Sequence, residues 1–451
     1  MKKIVMGGGI SGLIAAYTLN APLFEKNPYP GGLLASYCFD LNTKNKLWSG
    51  ERKDELAFFE VGGGHWLWGL HDYPIINNIL LKFTDFKTYV RRSYVYLTDL
   101  SLFIPYPLQY HLRFLPRDIK NSALEELINI HKKYKKTLSE NLYDNISFGL
   151  SLKSIFGETL YELFFRPYNE MYTAGLLYKV LPPRKIKLPN DMTNIVKGAH
   201  DSLYHGIGYN AVFFYPEMGL GPLMWRLCSE LKCFLNSEVT DIDYVKKMLI
   251  INNKNPVKYD ILVAAIPLNH LTELLHVKTK SKPDPYTSVI TINVIAEKGR
   301  NAPKDAHWIY MSKTKTLFHR IGYYSNVDPM FLPKKYRSEK YVAAYIEKVV
   351  QGGVQYEKDD LYREAQKVLD EACELGMLGN VIAYDVSFVD VAYTWRRLNS
   401  NWINEVNAIL KEIDVIPVGR YATWGFVEGI VESAYDTLSK SYSLSRCSSP
   451  K

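Results

Sequence analysis

The chain opens MKKIVMGGGISG, and these residues constrain the fold more than any later stretch. Gly7, Gly9 and Gly12 form a G-x-G-x-x-G frame that encloses Ile10 and Ser11. Ile4-Val5-Met6 before it is an apolar run of strand length, and Leu13 to Leu19 after it is an apolar run of good helix formers. Strand, glycine turn and helix in that order predict a dinucleotide-binding unit. Gly7 permits the tight turn, Gly9 lets a pyrophosphate approach the backbone, and Gly12 lets the helix lie close to the strand. The helix N-terminus then presents free N–H groups and a positive dipole end to the phosphates. Pro22-Leu23-Phe24-Glu25 reads as a second strand whose terminal acid is placed to accept the hydroxyls of an adenosine ribose, with Lys26 beside it.

At 451 residues the chain exceeds one ordinary core and is expected to form two or more lobes. The formal charge of +8 is modest for that length, and the lysines and arginines are scattered, which argues against a nucleic-acid partner. Tyrosine is abundant at 34 residues and suits pockets that need a flat apolar face with a hydroxyl handle. The five cysteines, Cys38, Cys228, Cys233, Cys373 and Cys447, form no C-x-x-C pair and no Cys/His metal spacing. No metal site is expected, and Cys228 and Cys233 read as packing residues on a helical stretch. An odd, sparse set fits a reducing cytosol, hence a cytoplasmic location. Lys2-Lys3 before an apolar stretch imitates a signal peptide, but three consecutive glycines break it. No segment has about 18 consecutive apolar residues, so no transmembrane segment is expected.

Residues 120 to 165 are rich in Leu, Lys, Glu and Ile and read as helical, and Pro182-Pro183 and Pro189 then punctuate a loop. Glu238 to Ile242 and Lys247 to Ile251 look like a strand pair, and Tyr259 to Ala265 like a further strand. Ser288 to Ala296 and Tyr341 to Val350 alternate in part, as half-buried antiparallel strands do. Ser439 to Lys451 is a Ser-rich tail expected to fray. The expected fold is α/β: a Rossmann-like domain assembled from separated segments, a mixed or antiparallel substrate-domain sheet, and a helical insertion.

The next glycine clusters separate a flavin from a nicotinamide. Asn27-Pro28-Tyr29-Pro30-Gly31-Gly32-Leu33-Leu34-Ala35 follows the ribose acid, and Phe59-Glu60-Val61-Gly62-Gly63-Gly64-His65 comes later. This order resembles the FAD-dependent amine oxidase and protoporphyrinogen oxidase superfamily, which includes the UDP-galactopyranose mutases. There an E…PGG segment runs along the dinucleotide and a D-x-G-G-H segment passes the isoalloxazine ring. Near the C-terminus, Ile416 to Trp424 resembles the family's G-R-F-G-x-W stretch, followed by a helix, Val427 to Leu438, aimed at the flavin. Two positions depart from the pattern: Ala422 stands where glycine is usual and Ile430 where an acid is common. The resemblance thus implies FAD, held by Gly31, Gly32, Leu33, Gly63, Gly64, His65, Val239, Gly419, Arg420, Trp424 and Ile430 as well as by the N-terminal motif. It divides the chain into FAD-binding segments at 1–75, 196–275 and 386–440, a helical insertion at 76–195, a substrate-domain sheet at 276–385 and a tail at 441–451.

Central segments narrow the resemblance to the mutase-like branch. Ile104 to Gln109 looks like P-Y-P-x-Q, Phe165 to Glu170 is similar to F-x-P-Y-N-x-K, and Gly208 to Pro216 with Gly219 resembles G-Y-N-x-x-F-x-Y-P-x-x-G-G. Leu317-Phe318-His319-Arg320 with Ser325-Asn326 resembles the Y-R-V…S-N strand. The resemblance implies catalysis through flavin N5 at an anomeric carbon, with UDP as leaving group and no net redox change. Arg320 would then clamp the diphosphate, His65 would sit near N5, and Tyr168, Asn169, Tyr209 and Asn210 would line the substrate pocket. A second diphosphate arginine belongs in a W-x-x-x-R helix, but Lys187 to Gly198 has neither residue. Three readings therefore stand: a mutase-like flavoenzyme acting on a sugar nucleotide, an FAD oxidoreductase taking hydride from a small organic substrate, and a flavin-binding protein with an altered, non-catalytic site.

Overall fold

A computed structural model describes residues 1–134, 145–183, 191–201, 206–208, 210–425 and 429–446. The chain divides into two compact units, each built from separated segments. Unit 1 comprises Met1–Thr88, Phe213–Pro285 and Ser400–Lys451, and unit 2 comprises Tyr89–Val212 and Tyr286–Asn399.

Unit 1 is organised around strand β1 (Lys3–Met6), helix α1 (Ile10–Leu19) and strand β2 (Leu23–Phe24). A parallel five-stranded sheet runs in the order Cys233–Phe234, β2, β1, Ile261–Ala264, Val415–Pro417. Ile4, Val5, Leu262 and Val263 have none of their surface exposed. Parallel strands are covered on both faces, which explains the unbroken apolar runs. The expected pair at 238–251 is a three-stranded antiparallel sheet, Val239–Asp243, Met248–Ile251 and Asn255–Lys258.

Unit 2 is built on a seven-stranded sheet. Helix α2 (Arg166–Tyr172) precedes five of its strands, β3 (Tyr286–Lys298), β4 (Trp308–Met311), β5 (Phe318–Tyr323), β6 (Tyr341–Gln351) and β7 (Leu378–Thr394). The order is β7, β3, β6, β5, β4, Ser93–Leu97, Leu102–Pro105. All neighbours are antiparallel except β4 and Ser93–Leu97. One face packs Ile290, Ile292, Val294 and Ile346 against the helix Lys358–Glu374. The strands are not half-buried as expected, because the opposite face is covered as well: Thr291 and Asn293 are fully buried and Glu347 is 1% exposed. The described part of the helical segment comprises Arg117–Tyr134, Phe148–Leu160 and a π-type turn at Tyr161–Phe165.

Several boundaries shift for physical reasons. The first crossing falls after Thr88, not 75, because the helix Pro74–Leu80 stays in unit 1. The last falls after Asn399, not 385, because β7 runs unbroken to Thr394. The second and third crossings fall after Val212 and Pro285. The C-terminal helix runs from Ile430 to Arg446, so residues 439–446 are helical. Val427, Pro189, Cys447 and the last four residues lie outside the described ones. Cys228 lies in the last turn of the helix Leu220–Ser229 while Cys233 begins a strand, and a disulfide joins them, contrary to the packing role expected. Among the described residues no helix is long and apolar enough to cross a membrane.

Candidate active site

The glycine turn of unit 1 forms a cradle. A Cβ at Gly12 would lie 1.8 Å from the Gly7 carbonyl oxygen, so α1 and β1 touch where only hydrogen fits. Gly7 itself holds φ +98°. A Cβ at Gly9 would meet nothing within 4 Å, so the N-cap of α1 faces open space. Groups from three other segments surround that space. Glu25 accepts the Gly8 N–H at 2.6 Å and the Asn27 N–H at 2.8 Å. The Gly31 N–H donates to the Gly8 carbonyl at 2.8 Å, and Gly32 lies over Gly9. At Gly419, a Cβ would fall 2.5 Å from Ser11 Oγ. An N-terminal dipole, a buried acid and backbone approaching from two glycine turns make the donor set a dinucleotide requires, and FAD fits it.

The remaining cofactor candidates sort by position. Ile10 and Ile430 line the same small apolar cavity. The N–H of Ser237 donates to the Glu25 carbonyl, two residues before Val239 begins its strand. The Gly62–Gly64 loop abuts the Leu33 carbonyl. His65 donates its main-chain N–H to Glu60 at 3.2 Å, and its Nδ1 meets the Gly63 carbonyl at 3.1 Å. Lys26 is exposed. Arg420 lies over the ring of Tyr421. Trp424 is wholly buried, edge-on to Trp402 at 5.0 Å, so its ring belongs to the core of unit 1.

In unit 2 the strand register lines up Tyr310, Arg320, Glu347, Thr291 and Ser387 across five neighbouring strands. Arg320 donates from Nε at 3.0 Å and from a terminal nitrogen at 2.5 Å to the same Glu347 oxygen, Oε2. Its side chain keeps 23% of its surface exposed, while that of Glu347 is 1% exposed. Burial raises the Glu347 carboxyl above its ordinary range, and Arg320 pulls it back. Oε1 of Glu347 and the Thr291 hydroxyl have no hydrogen-bond partner among the described residues. A β-bulge between Phe318 and Arg320 inserts His319 here. Bulges re-aim side chains in this way. His319 is 1% exposed, with Nε2 3.6 Å from Glu347 Oε2.

Tyrosines wall this row. Tyr168 packs against His319 with ring centres at 5.9 Å and edge-on to Tyr310 at 5.6 Å, and Tyr310 lies 5.0 Å from Tyr106. Arg91 stands over Tyr106 at 4.8 Å and donates to the carbonyls of Ile207 and Asn210. Asn210 is therefore fixed through its main chain. Asn169 is buried within α2 and gives one amide N–H to the Phe165 carbonyl at 2.6 Å, which leaves its second N–H and its oxygen to offer. Tyr209 lies outside the described residues. His319, Glu347, Thr291 and Arg91 were not singled out from sequence. The available signal was a lone acid in the apolar run Ala343-Ala344-Tyr345-Ile346-Glu347.

Residues 10–335 match the family model described as flavin containing amine oxidoreductase. The chain belongs to that family: it is an enzyme, and its cofactor is FAD. Among solved structures, reduced UDP-galactopyranose mutase superposes with a TM-score of 0.79 at 20% identity, covering 99% of this chain and 94% of that one. A candidate protoporphyrinogen oxidase from Exiguobacterium sp. gives a TM-score of 0.68 at 15% identity, covering 98% of each chain. Putrescine oxidase with bound putrescine gives 0.57 at 11%, covering 99% of each chain. At such identities these likenesses speak for the fold.

Proposed function

We propose that this FAD enzyme is a mutase-like isomerase of a sugar nucleotide. The observation that carries the reading is the polar row of unit 2, where the Arg320 guanidinium is anchored on a buried Glu347. Buried polar atoms without partners are rare in proteins and call for a ligand or ordered water. A guanidinium suits a diphosphate leaving group on which charge develops. Glu347 Oε1 and the Thr291 hydroxyl suit sugar hydroxyls, and tyrosine faces suit the C–H face of a pyranose. An ammonium substrate would instead meet a cation.

Bound FAD supplies the nucleophilic centre that the mutase resemblance implies. The chain's own part is to cradle its pyrophosphate at Gly9, keep Arg320 oriented, and hold the sugar against the tyrosine wall. Thermal melting of FAD-loaded protein with UDP tests this. UDP should raise the melting temperature of wild type and not of Arg320→Ala. No shift with UDP, together with bleaching of the flavin spectrum by an amine under anaerobic conditions, would replace the reading with an oxidase.

A further inference from the structure

The Arg320–Glu347 pair poses a physical problem for an anion that draws the guanidinium off Glu347. Both observed bonds from the guanidinium go to Glu347 Oε2. If an anion draws the guanidinium away, a carboxylate that is 1% exposed loses its cation. An unpaired buried carboxylate is costly, so it either captures a proton or finds another donor. The groups around Oε2 are Arg320 and His319 on β5, with Tyr168 and Tyr172 of α2 packing on the His319 ring at 5.9 and 5.4 Å. His319 Nε2 is 3.6 Å away, a few tenths of an ångström beyond hydrogen-bond distance; among the described residues neither ring nitrogen makes a hydrogen bond of normal geometry, and the Glu347 main chain is the one hydrogen-bonding group that acts on the ring.

We propose that His319 is the exchange partner of Arg320: when an anionic ligand draws the guanidinium off Glu347, the His319 Nε2–H takes over Oε2. His319 is thus a positioning residue that lets the arginine move without protonating the acid. With Arg320 in place, burial and that neighbouring cation hold the imidazole well below its ordinary 6.5, so in the resting pair it is neutral and has one N–H to give. The bulge at Phe318/Arg320 supplies the geometry, placing two consecutive β5 side chains opposite a single residue of β6. The proposal rests on the reading above only in taking the ligand to be anionic.

The test measures affinity at about pH 6 and about pH 8 for two anions that stay fully ionised across that range, sulfate and UDP-galactose. FAD-loaded wild type, His319→Gln and His319→Phe are compared. Gln keeps a donor near Nε2, whereas Phe keeps the ring and loses it. Wild type and H319Q should bind each anion equally at both pH values, within about twofold. H319F should take up a proton on Glu347 as it binds, so its affinity falls by up to about tenfold per pH unit. Adding Glu347→Gln to H319F should abolish that slope. If Phe does not fold, His319→Asn, too short to reach Oε2, replaces it. A flat profile in H319F, or a slope shared by H319Q, overturns the exchange. Sulfate binding without UDP-galactose binding defeats the sugar-nucleotide reading and leaves His319 decided by the sulfate data. If wild type binds neither anion, Arg320 takes no anion and the exchange is refuted.

Discussion

Glu60 shows what one residue holds in place. It has none of its surface exposed, yet it accepts the Tyr215 hydroxyl at 2.6 Å and the His65 N–H at 3.2 Å. Burial pushes its carboxyl up from 4.5 to about 8, against the pull of both donors and of Arg52. An acid raised in this way binds its proton more tightly folded than unfolded. The stability it lends is complete below about pH 4.5 and is lost as pH rises through about 8. Glu60→Gln should match wild type near pH 5 and be the more stable by a few kcal/mol near pH 9. Parallel melting curves across that range would show Glu60 ionised throughout. The sequence placed Glu60 beside the glycine loop, but its burial and its Tyr215 partner, 155 residues away, depend on the assembled unit.

At the scale of elements, legibility followed how local each cause was. The β1–α1–β2 unit could be read because all its determinants lie within the first 25 residues. Gly12→Val would force a side chain onto the Gly7 carbonyl, and should lower the flavin-to-protein absorbance ratio by more than about tenfold. The Arg320–Glu347 contact was not readable, since it depends on antiparallel register between β5 and β6 and on a bulge within it. The Cys228–Cys233 disulfide escaped for the opposite reason: the residues are close in sequence, but a helix end and a strand start lie between them. In unit 2, Gly157 holds φ +76° inside Phe148–Leu160, and a Cβ there would fall 2.3 Å from Glu126. Gly157→Ala should destabilise the protein by about 1–3 kcal/mol without lowering its flavin content. Loss of flavin in that variant would mean that unit 2 is needed to hold the cofactor.

At the level of the whole molecule, the proposed work is divided between two units. Unit 1 carries the cradle that fits FAD, with a glycine turn at Gly419 more than 400 residues after the motif that opens it. Unit 2 carries the arginine, the acid and the tyrosine wall. With no W-x-x-x-R arginine in the sequence and Arg91 committed to the Ile207 and Asn210 carbonyls, the proposed diphosphate contact falls to Arg320. Arg320→Ala should therefore retain full flavin content while lowering kcat/KM for a UDP-hexose by at least about a hundredfold. The most direct measurement is anion-exchange chromatography of UDP-hexoses, UDP-galactose among them, after incubation with the dithionite-reduced, FAD-loaded enzyme. A mutase-like isomerase should give a second peak of identical mass, formed catalytically by wild type and not by Arg320→Ala. A UDP-hexose pool left unchanged by the reduced wild-type enzyme would contradict the proposed isomerase activity.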